Sequence, residues 1–274
     1  VLVVYYLNML KKFIKKIIPK TIKGKIKTID VNQKYLYGPH NQQYFKFQFD
    51  GIDKIEFNYS QSFQDLFVLT VLNGKTNGSY LEIGSGPAAY ISNTYLLEQQ
   101  YGWIGLGIEI NNELSNEHKK LRKNPVINTN ALKFNYLEIE KYLPSSKIDY
   151  LQIDIEPAEN NLEVLKNIPF DKYEFNVITY ETDIYVSPHN ENLAEKAREY
   201  IKSKDYKLIK KNVKENGKVY EDWYINNKII DNLAFTIQFE DNVNANEIFF
   251  NEEESFQRIK TIFKYLYRSP KRKL

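Results

Sequence analysis

The sequence predicts an α/β fold built around a mostly parallel sheet, and three features of the 274-residue chain support that prediction. Short apolar segments typical of strands alternate with amphipathic segments typical of helices between residues 79 and 203. A glycine-rich turn, Gly84-Ser85-Gly86, follows the first strand. Two later strands, Tyr206–Val213 and Lys218–Asn226, flank the turn dipeptide Asn216-Gly217. Five parallel-type strands followed by a hairpin indicate a Rossmann-like, seven-stranded sheet with helices on both faces.

The composition excludes several classes of site. The chain has no cysteine, which excludes disulfides, thiolate metal sites and a cysteine nucleophile. A hydrophobic content of 42% is enough for one large domain, with or without extensions. Only five of the 38 basic residues are arginine, the residue that reads bases and phosphates in bidentate pairs, so no nucleic-acid partner is expected. The net charge of +3 identifies no partner.

The stretch from Ser79 to Ile110 organises the rest of the chain. A short apolar strand ends at Ile83, the glycine-rich turn follows, and a second strand ends on the acid Glu109. Between them, helical spacing is carried by Tyr90, Ile91, Tyr95 and Leu96. Strand, glycine turn, helix, strand and carboxylate make up half of a nucleotide-binding α/β unit, in which the final acid accepts hydrogen bonds from ribose hydroxyls.

The residues around the turn favour S-adenosylmethionine over a dinucleotide. Gly84, Gly86 and Ala89 fit the spacing G-x-G-x-x-A of dinucleotide sites. Glu82, however, lies two residues before the first glycine and would repel a pyrophosphate, and Pro87 follows the last glycine. S-adenosylmethionine carries an ammonium and a sulfonium group and no phosphate, so an acid at this point suits it.

The fourth and fifth parallel strands also end in acids. We predict a third strand at Val126–Thr129, a fourth at Ile148–Ile155 and a fifth at Phe175–Tyr180. The carboxyl ends of parallel strands meet at one edge of the sheet, where ligands of such folds bind. A single acid there is often only a helix cap, but a set on one edge predicts a functional site. The set is Glu82, Glu109, Asp154, Glu156 and Glu181.

Two elements outside this edge are also predicted. The segment Asp65–Leu72 has helical spacing, with Ser62 as the expected N-cap and Asp65 in a near capping box. In the hairpin, Trp223 is more typical of a core residue than of a functional one.

Five blocks, in order, resemble the FkbM family of S-adenosylmethionine-dependent methyltransferases. They are YSQSFQDLFVL (59–69), GSYLEIGSG (78–86), SNTYLLEQQYGWIGLGIEI (92–110), IDYLQIDIEPAE (148–159) and VYEDWYIN (219–226). The chain departs from the family's usual residues at Glu82, where aspartate is usual, and at Pro157, where glycine is usual. The resemblance implies a class I methyltransferase fold, S-adenosylmethionine as methyl donor, and O-methylation of a hydroxyl on a sugar, glycolipid or secondary metabolite, often in polysaccharide biosynthesis.

The resemblance also implies roles for the residues of the first three strands. The methionine part of the donor would be bound by Glu82, Gly84, Ser85 and Gly86, and the ribose by Glu109. Asn130, after the third strand, would contact the adenine. The alternative for Asn130 is a loop asparagine that hydrogen-bonds its own backbone.

Methyl transfer to a hydroxyl requires a base that takes the hydroxyl proton. Asp154 and Glu156 follow the fourth strand, where the transferable methyl is expected, and Asp154 is the first candidate base. Alternatively, these two carboxylates steady the donor ammonium or the loop. Glu181, Asp183 and His189 form a second candidate group, although a lone loop histidine is usually just exposed. A divalent ion held by these carboxylates is compatible with the sequence, but no metal ligand set is predicted.

The predicted organisation has four parts. A basic amphipathic segment (1–27) and an aromatic strand or lid segment (28–58) precede the methyltransferase domain (59–227). A C-terminal extension (228–274) contains an amphipathic helix at Glu254–Tyr267 and a basic tail.

The N-terminal segment has apolar residues on one helical face and lysines on the other from Met9 onward. This pattern predicts peripheral contact of residues 9–27 with an anionic membrane, or else a helix packed on its own domain. The apolar run before it is too short to span a bilayer and lacks signal-peptide features, so a cytoplasmic location, peripheral on the inner membrane surface, is expected. Met9 is the only methionine and is an alternative native start to Val1.

Two other functions compete with methyl transfer. A NAD-dependent, sugar-modifying oxidoreductase would use the same glycine spacing, but Glu82 and Pro87 oppose a pyrophosphate. A catalytically silent scaffold would use only the basic N-terminal helix. For the methyltransferase, the expected partner is a small-molecule or glycan acceptor, and the sequence leaves the oligomeric state open.

Overall fold

A computed structural model describes residues 45–215, 217–230 and 243–250. They form a seven-stranded sheet with the order β3-β2-β1-β4-β5-β7-β6, in which β1 to β5 are parallel and β7 is antiparallel to both β5 and β6. The prediction of a Rossmann-like sheet that ends in an antiparallel hairpin is confirmed. The strands are β1 Ser79–Ile83, β2 Ile104–Glu109, β3 Val126–Asn128, β4 Lys147–Ile153, β5 Glu174–Glu181, β6 Tyr206–Glu215 and β7 Lys218–Asn226.

Helices connect the strands and flank the sheet. In chain order they are α1 Gln64–Val71, α2 Tyr95–Tyr101, α3 Asn112–Leu121, α4 Ala158–Asn167, α5 His189–Ser203, α6 Asn227–Ile230 and α7 Ala245–Phe249. Short 3₁₀ helices occur at Ile52–Lys54, Ala131–Lys133 and Tyr136–Lys141. Within this described part of the chain, no helix is long and apolar enough to cross a membrane. The predicted N-terminal membrane segment, residues 28–44 and the helix at Glu254–Tyr267 lie outside the described residues.

The alternation of side chains along the strands divides the core into two layers. On one face the sheet packs against α1 and α2, and Phe67 of α1 stacks on Trp223 with ring centroids 4.4 Å apart. Trp223 is 0% exposed, so its assignment to the core is confirmed. On the other face Ile83 and Leu151 belong to a second layer that includes residues of α4 and α5. The strand order reverses between β1 and β4, which places a crevice at their carboxyl ends.

The helix predicted directly after the glycine turn was placed too early. α2 begins only at Tyr95, and residues 87–94 form an irregular segment, called here the 87–94 segment. Ile91 adopts a φ of 53°, which is rare for a β-branched residue and incompatible with an α-helix, and it pairs with Ser60 in an isolated bridge. Contacts distant in sequence therefore override the helical spacing in this segment.

The predicted N-cap of α1 was also wrong. The N-cap position is held by Phe63 with a φ of 63° and without a side-chain hydrogen bond, and the hydroxyl of Ser62 is buried without a partner. The carboxylate of Asp65 instead accepts hydrogen bonds from the backbone N–H groups of Tyr59 and Ser60. Asp65 thus fixes the turn that enters the helix.

Truncation of the stacked phenylalanine tests the core layer between α1 and the sheet. We expect Phe67→Ala to lower the free energy of unfolding by about 3–5 kcal/mol, because a fully buried aromatic ring is lost. Phe57→Ala, at a residue that is 37% exposed, is the control and should change it by about 0.5 kcal/mol or less. Urea unfolding measures both, and equal losses would contradict this account of the core.

Candidate active site

Two rows of polar residues cross the sheet at the carboxyl ends of its strands. The strand register places Glu82 of β1 beside Gly107 of β2 and Gln152 of β4, and Gln152 beside Thr179 of β5. Two residues further along each strand, backbone hydrogen bonds continue the register into a second row on the same face of the sheet. That row consists of Glu109, Gly84, Asp154, Glu181 and Glu221. Four of the five predicted strand-end acids, Glu82, Glu109, Asp154 and Glu181, thus lie in these two rows at one edge of the sheet.

The two glycines of the turn have different surroundings. A Cβ at Gly84 would lie 1.7 Å from the carbonyl oxygen of Asp154, and Gly84 has a φ of 81°. Only glycine allows β1 and β4 to approach so closely here. A Cβ at Gly86, with a φ of 58°, would meet nothing within 4 Å. Gly84 thus serves backbone packing, whereas Gly86 borders open space into which a ligand can come close to the backbone.

Glu82 is a buried acid that accepts a hydrogen bond from a hydroxyl group. It is 2% exposed, and the hydroxyl of Thr94 donates to its Oε2 at 2.9 Å. Burial raises the pKa of Glu82 to about 7, against the attraction of the Arg122 guanidinium, which lowers it. At neutral pH this carboxyl is therefore divided between its charged and neutral forms.

Two buried oxygens near Glu82 lack donors. Oε1 of Gln152, the register neighbour of Glu82, has no hydrogen bond, and neither does Oδ1 of Asn93, which precedes Thr94. Buried acceptors of this kind are normally satisfied, so they mark a position for a group that brings N–H donors. A buried acid and two orphaned acceptors in this part of the chain fit an ammonium group, such as that of S-adenosylmethionine.

Glu109 joins the glycine turn to the start of α3. Its Oε2 accepts from the backbone N–H of Gly86 at 2.8 Å, and its Oε1 accepts from that of Asn111 at 2.7 Å. An ionised carboxylate has about four acceptor positions, so two remain for hydroxyl donors. Glu109 can therefore hold a diol without giving up its structural hydrogen bonds.

Asn130 has a structural role in the chain itself. Its Oδ1 accepts from the backbone N–H of Leu132 at 2.8 Å and caps the 3₁₀ helix that follows β3. This is the alternative that the sequence left open for Asn130. The contact of Asn130 with adenine remains a prediction.

Asp154 and Glu181 form a hydrogen-bonded pair of carboxyl groups at the ends of β4 and β5. Burial raises the pKa of both, and repulsion from Asp154 raises that of Glu181 further, to well above its usual range. The phenol of Tyr220 also donates to Asp154 Oδ2 at 3.3 Å. Glu181 therefore keeps its proton to higher pH than Asp154 does, and it is the donor in the hydrogen bond between them.

The other predicted acids and the histidine lie around this pair. Asp183 is buried, with a φ of 50°, and burial raises its pKa. Glu156 is exposed, and its charge acts on both Asp154 and Asp183. The side chain of His189, at the start of α5, is 63% exposed and lies 3.8 Å from Glu159. The structure thus gathers Asp154, Glu181 and Asp183, and it leaves His189 at the surface.

Glu221 of β7 is the last acid of the row. It is buried, and the indole N–H of Trp223 donates to its Oε1 at 2.6 Å. Burial raises its pKa to about 8.

Among the residues that the structure describes, no group of three or more histidines and acids is arranged to hold a metal ion.

Several residues of the site escaped the sequence analysis. Gln152 lies two residues before Asp154 in a buried strand, so both side chains lie on the same face of the sheet. This spacing could have identified Gln152 from the sequence. Tyr220 lies in the block VYEDWYIN but carried no signal of its own. Arg122 and Glu98, which form a buried ion pair of 2.6 Å behind Glu82, are 24 residues apart and had no sequence signal that joined them.

Comparison with known proteins identifies the domain. Residues 73–208 match the model described as the methyltransferase FkbM domain. This chain carries a methyltransferase FkbM domain. The matched range contains β1 to β5 and both rows of polar residues up to Glu181. The suspected family is confirmed, and it implies S-adenosylmethionine as the methyl donor.

Solved structures similar to this chain are distant. A methyltransferase from Pyrococcus furiosus is 13% identical, with 61% of this chain and 82% of that chain covered and a TM-score of 0.41. The human methyltransferase 10 domain containing protein is 13% identical, with 60% and 80% covered and a TM-score of 0.41. The N-methyltransferase NodS from Bradyrhizobium japonicum is 12% identical, with 60% and 93% covered and a TM-score of 0.41. No curated protein sequence matches the chain.

The buried acid of β7 predicts how stability depends on pH. A carboxyl with a raised pKa in the folded state favours folding at low pH, and that contribution is lost as the pH rises from about 4.3, its unfolded-state value, through about 8. We expect the free energy of unfolding of the ligand-free protein to fall over this range. In Glu221→Gln, which keeps an acceptor for Trp223, the fall should be smaller by roughly 3–5 kcal/mol.

Urea unfolding at several pH values measures this slope. Glu138→Gln, at an exposed residue paired with Lys141, is the control and should keep the slope of the parent protein. Identical slopes for Glu221→Gln and the parent would show that folding does not raise the pKa of Glu221, contrary to the prediction.

Proposed function

We propose that this protein transfers a methyl group from S-adenosylmethionine to a hydroxyl of a sugar, glycolipid or secondary metabolite, with Asp154 as the general base. The observation that carries the proposal is the Asp154–Glu181 pair, two hydrogen-bonded carboxyl groups with raised pKa values, next to the glycine turn of a methyltransferase domain. The chain supports the three tasks of such an enzyme, which are donor binding, proton removal and acceptor binding.

The donor site is proposed at the ends of β1 and β2. Glu82, with the orphaned oxygens of Gln152 and Asn93, would bind the ammonium, and Glu109 would bind the ribose hydroxyls. The open space beside Gly86 lets the backbone approach the ligand. When bound, the donor supplies an electrophilic methyl group. The residues of the chain bind and orient it, and alignment of two reactants can account for several orders of magnitude in rate.

Proton removal is proposed for Asp154. The acceptor hydroxyl would donate a hydrogen bond to Asp154, and its proton would move to that carboxylate as the oxygen bonds to the methyl carbon and the methyl–sulfur bond breaks, with S-adenosylhomocysteine as the leaving group. A pKa raised by burial makes Asp154 a stronger base than an exposed aspartate. Glu181 and Tyr220 donate hydrogen bonds to Asp154 and so fix its orientation.

The surroundings of Asp154 support a neutral, hydroxylated acceptor. The acids of this part of the site repel anionic acceptors and accept hydrogen bonds from hydroxyl groups. Tyr185 and Val186, in the loop after β5, are 45% and 63% exposed, and the Tyr185 ring lies 6.4 Å from that of Tyr220. The ammonium of Lys218 is 5.2 Å from the Tyr185 ring. An exposed ring beside hydroxyl-binding acids suits the apolar face of a sugar ring.

A methyl group added at the turn tests the donor site. Gly86→Ala would fill the open space beside the backbone, and we expect the affinity for S-adenosylhomocysteine to fall by at least about tenfold, or about 1.4 kcal/mol. The matched control is Gly217→Ala, where the φ is also positive, at 78°, and a Cβ also meets nothing within 4 Å. Titration calorimetry should find unchanged affinity in the control. Equal affinities in both variants would place the donor elsewhere.

Removal of the basic group tests the chemistry. Asp154→Asn keeps the shape of the side chain, and we expect turnover at saturating donor to fall by about 10²–10⁴-fold, the usual contribution of a general base. Affinity for S-adenosylhomocysteine should change little, because Asp154 acts on the acceptor. The parent rate at saturating donor should rise with pH through one ionisation that the variant lacks.

The assay uses a panel of sugars, glycolipid headgroups and hydroxylated small molecules, with methyl transfer followed by radiolabel. Asp149→Asn, at the opposite end of β4, is the control, since Asp149 is a buried acid held by Lys75 and Asn176 away from the site. Loss of donor binding in Asp154→Asn would instead assign this carboxylate to the donor pocket. Turnover near the parent level would rule out Asp154 as the base.

A further inference from the structure

His118 of α3 and Arg122, which directly follows α3, are buried basic side chains that contact the turn and the 87–94 segment. Nε2 of His118 is 3.0 Å from the carbonyl oxygen of Gly86, at one end of this stretch. Arg122, four residues later and directly after α3, contacts the rest of it. Residues four apart lie on the same side of a helix, so both side chains face the loop. The backbone N–H of Gly86 donates to Glu109, while its carbonyl oxygen contacts His118. The peptide groups on both sides of Gly86 are therefore fixed by side chains.

Every N–H group of the Arg122 guanidinium has an acceptor. Nε donates to Glu98 at 2.6 Å, and one terminal nitrogen donates to the Ala88 carbonyl at 3.0 Å and to the Ser92 hydroxyl at 3.3 Å. The other terminal nitrogen donates to the Tyr80 phenol at 2.8 Å and to the Thr94 hydroxyl at 2.9 Å. Three of these five contacts go to the 87–94 segment, which has no helix or strand of its own to hold it.

The contact with Thr94 connects Arg122 to the donor site. A hydroxyl has one proton to donate and can accept at the same time. Because the guanidinium can only donate, Thr94 accepts from Arg122, and its own proton is directed to Glu82 Oε2 at 2.9 Å. The direction of each hydrogen bond is thus fixed along the path Arg122, Thr94, Glu82.

We propose that Arg122 is a positioning residue for methyl-donor binding, which fixes the 87–94 segment and, through the Thr94 hydroxyl, the orientation of the Glu82 carboxylate. The inference rests on the donor site proposed above. Arg122 does not itself touch the donor, because its five N–H groups are already used within the chain.

The charges around Glu82 are consistent with this role. The guanidinium is paired with Glu98, whose other oxygen accepts from the backbone N–H of Lys123 at 2.7 Å. Arg122 therefore adds little net positive charge against an incoming ammonium. The titratable groups that act on Glu82 are Arg122 and Glu98, and the phenols of Tyr80 and Tyr150 lie on the same side with pKa values raised by burial. Donor binding should weaken as Glu82 takes up a proton below its pKa of about 7.

The test compares Arg122→Lys, Thr94→Val and the double variant. Lysine keeps the charge but lacks the planar fork, and valine keeps the shape of threonine but lacks the hydroxyl. We expect each single change to weaken S-adenosylhomocysteine binding by about tenfold or more. The double variant should lose little more than the larger single loss, because both act on one path. The midpoint of affinity against pH should move upward in both single variants.

The matched control is Arg198→Lys. Arg198 is a second buried arginine, with an equally short 2.6 Å contact from Nε to Asp222, and it binds no atom of the 87–94 segment. We expect this control to lower stability in urea unfolding while affinity for S-adenosylhomocysteine stays within twofold of the parent. If Arg122→Lys fails to fold, Thr94→Val alone still tests the path by its affinity and pH midpoint.

Three results would overturn the inference: affinity within twofold of the parent in Thr94→Val, additive losses in the double variant, or an equal loss in Arg198→Lys. Such results, together with loss of binding in Gly86→Ala, would leave the proposed donor site in place and reject only the role of Arg122. Unchanged binding in Gly86→Ala would reject the donor site itself.

Discussion

A close contact between two backbones in the middle of the sheet determines the geometry of the whole site. The carbonyl oxygen of Asp154 occupies the position that a side chain at residue 84 would need. Gly84 therefore allows the end of β4 to close against β1, and its φ of 81° turns the chain out of β1 at the same point. As a result, the glycine turn and the backbone of Asp154 lie next to each other. The donor and acceptor sides of the proposed site therefore meet at this contact between β1 and β4.

The acids of the site oppose folding, and the chain compensates for them differently on its two sides. Behind Glu82, the Arg122–Glu98 ion pair and the Thr94 hydroxyl offset part of the effect of burial. Among the described residues, no lysine, arginine or histidine forms an ion pair with Asp154 or Glu181, and burial raises the pKa of both carboxyl groups. Burial of an unpaired charge is strongly unfavourable, so buried acids without cationic partners lower the stability of the fold. Acids of this kind are typical of functional sites.

The parts of the fold that the sequence predicted are those set by local pattern. Apolar strands, the glycine turn and the strand-end acids depend on residues near each other in the chain, and the common edge follows from the parallel arrangement. The 87–94 segment was predicted as helix because Tyr90 and Ile91 have helical spacing with Tyr95 and Leu96. Its conformation is instead decided by the bridge from Ile91 to Ser60 and by hydrogen bonds from Arg122, both distant in sequence.

The same reasoning explains which site residues were missed. The sequence showed that Glu82 and Asp154 end neighbouring strands, but only the register reveals Gln152 beside Glu82. Likewise, Tyr220 reaches Asp154 because β7 inserts antiparallel between β5 and β6, an order that the sequence of the hairpin does not specify. Ser62 was a reasonable cap by pattern, yet the backbone N–H of Asp65 donates to the hydroxyl of Ser60, and the hydroxyl of Ser62 has no partner.

The loop after β5 differs from the 87–94 segment in what it leaves free. One carbonyl oxygen, that of Tyr220, accepts from the backbone N–H and the hydroxyl of Thr182 and from the N–H of Asp183, so the loop backbone is fixed to β7. Its side chains at Tyr185 and Val186 nevertheless remain exposed beside the carboxylate pair. In the donor half, by contrast, the side chain of Thr94 and, through it, that of Glu82 are bonded to Arg122. Under the proposed function, exchange of Tyr185 or Val186 therefore changes acceptor preference without disturbing donor binding, because the backbone that carries them is held independently of their side chains.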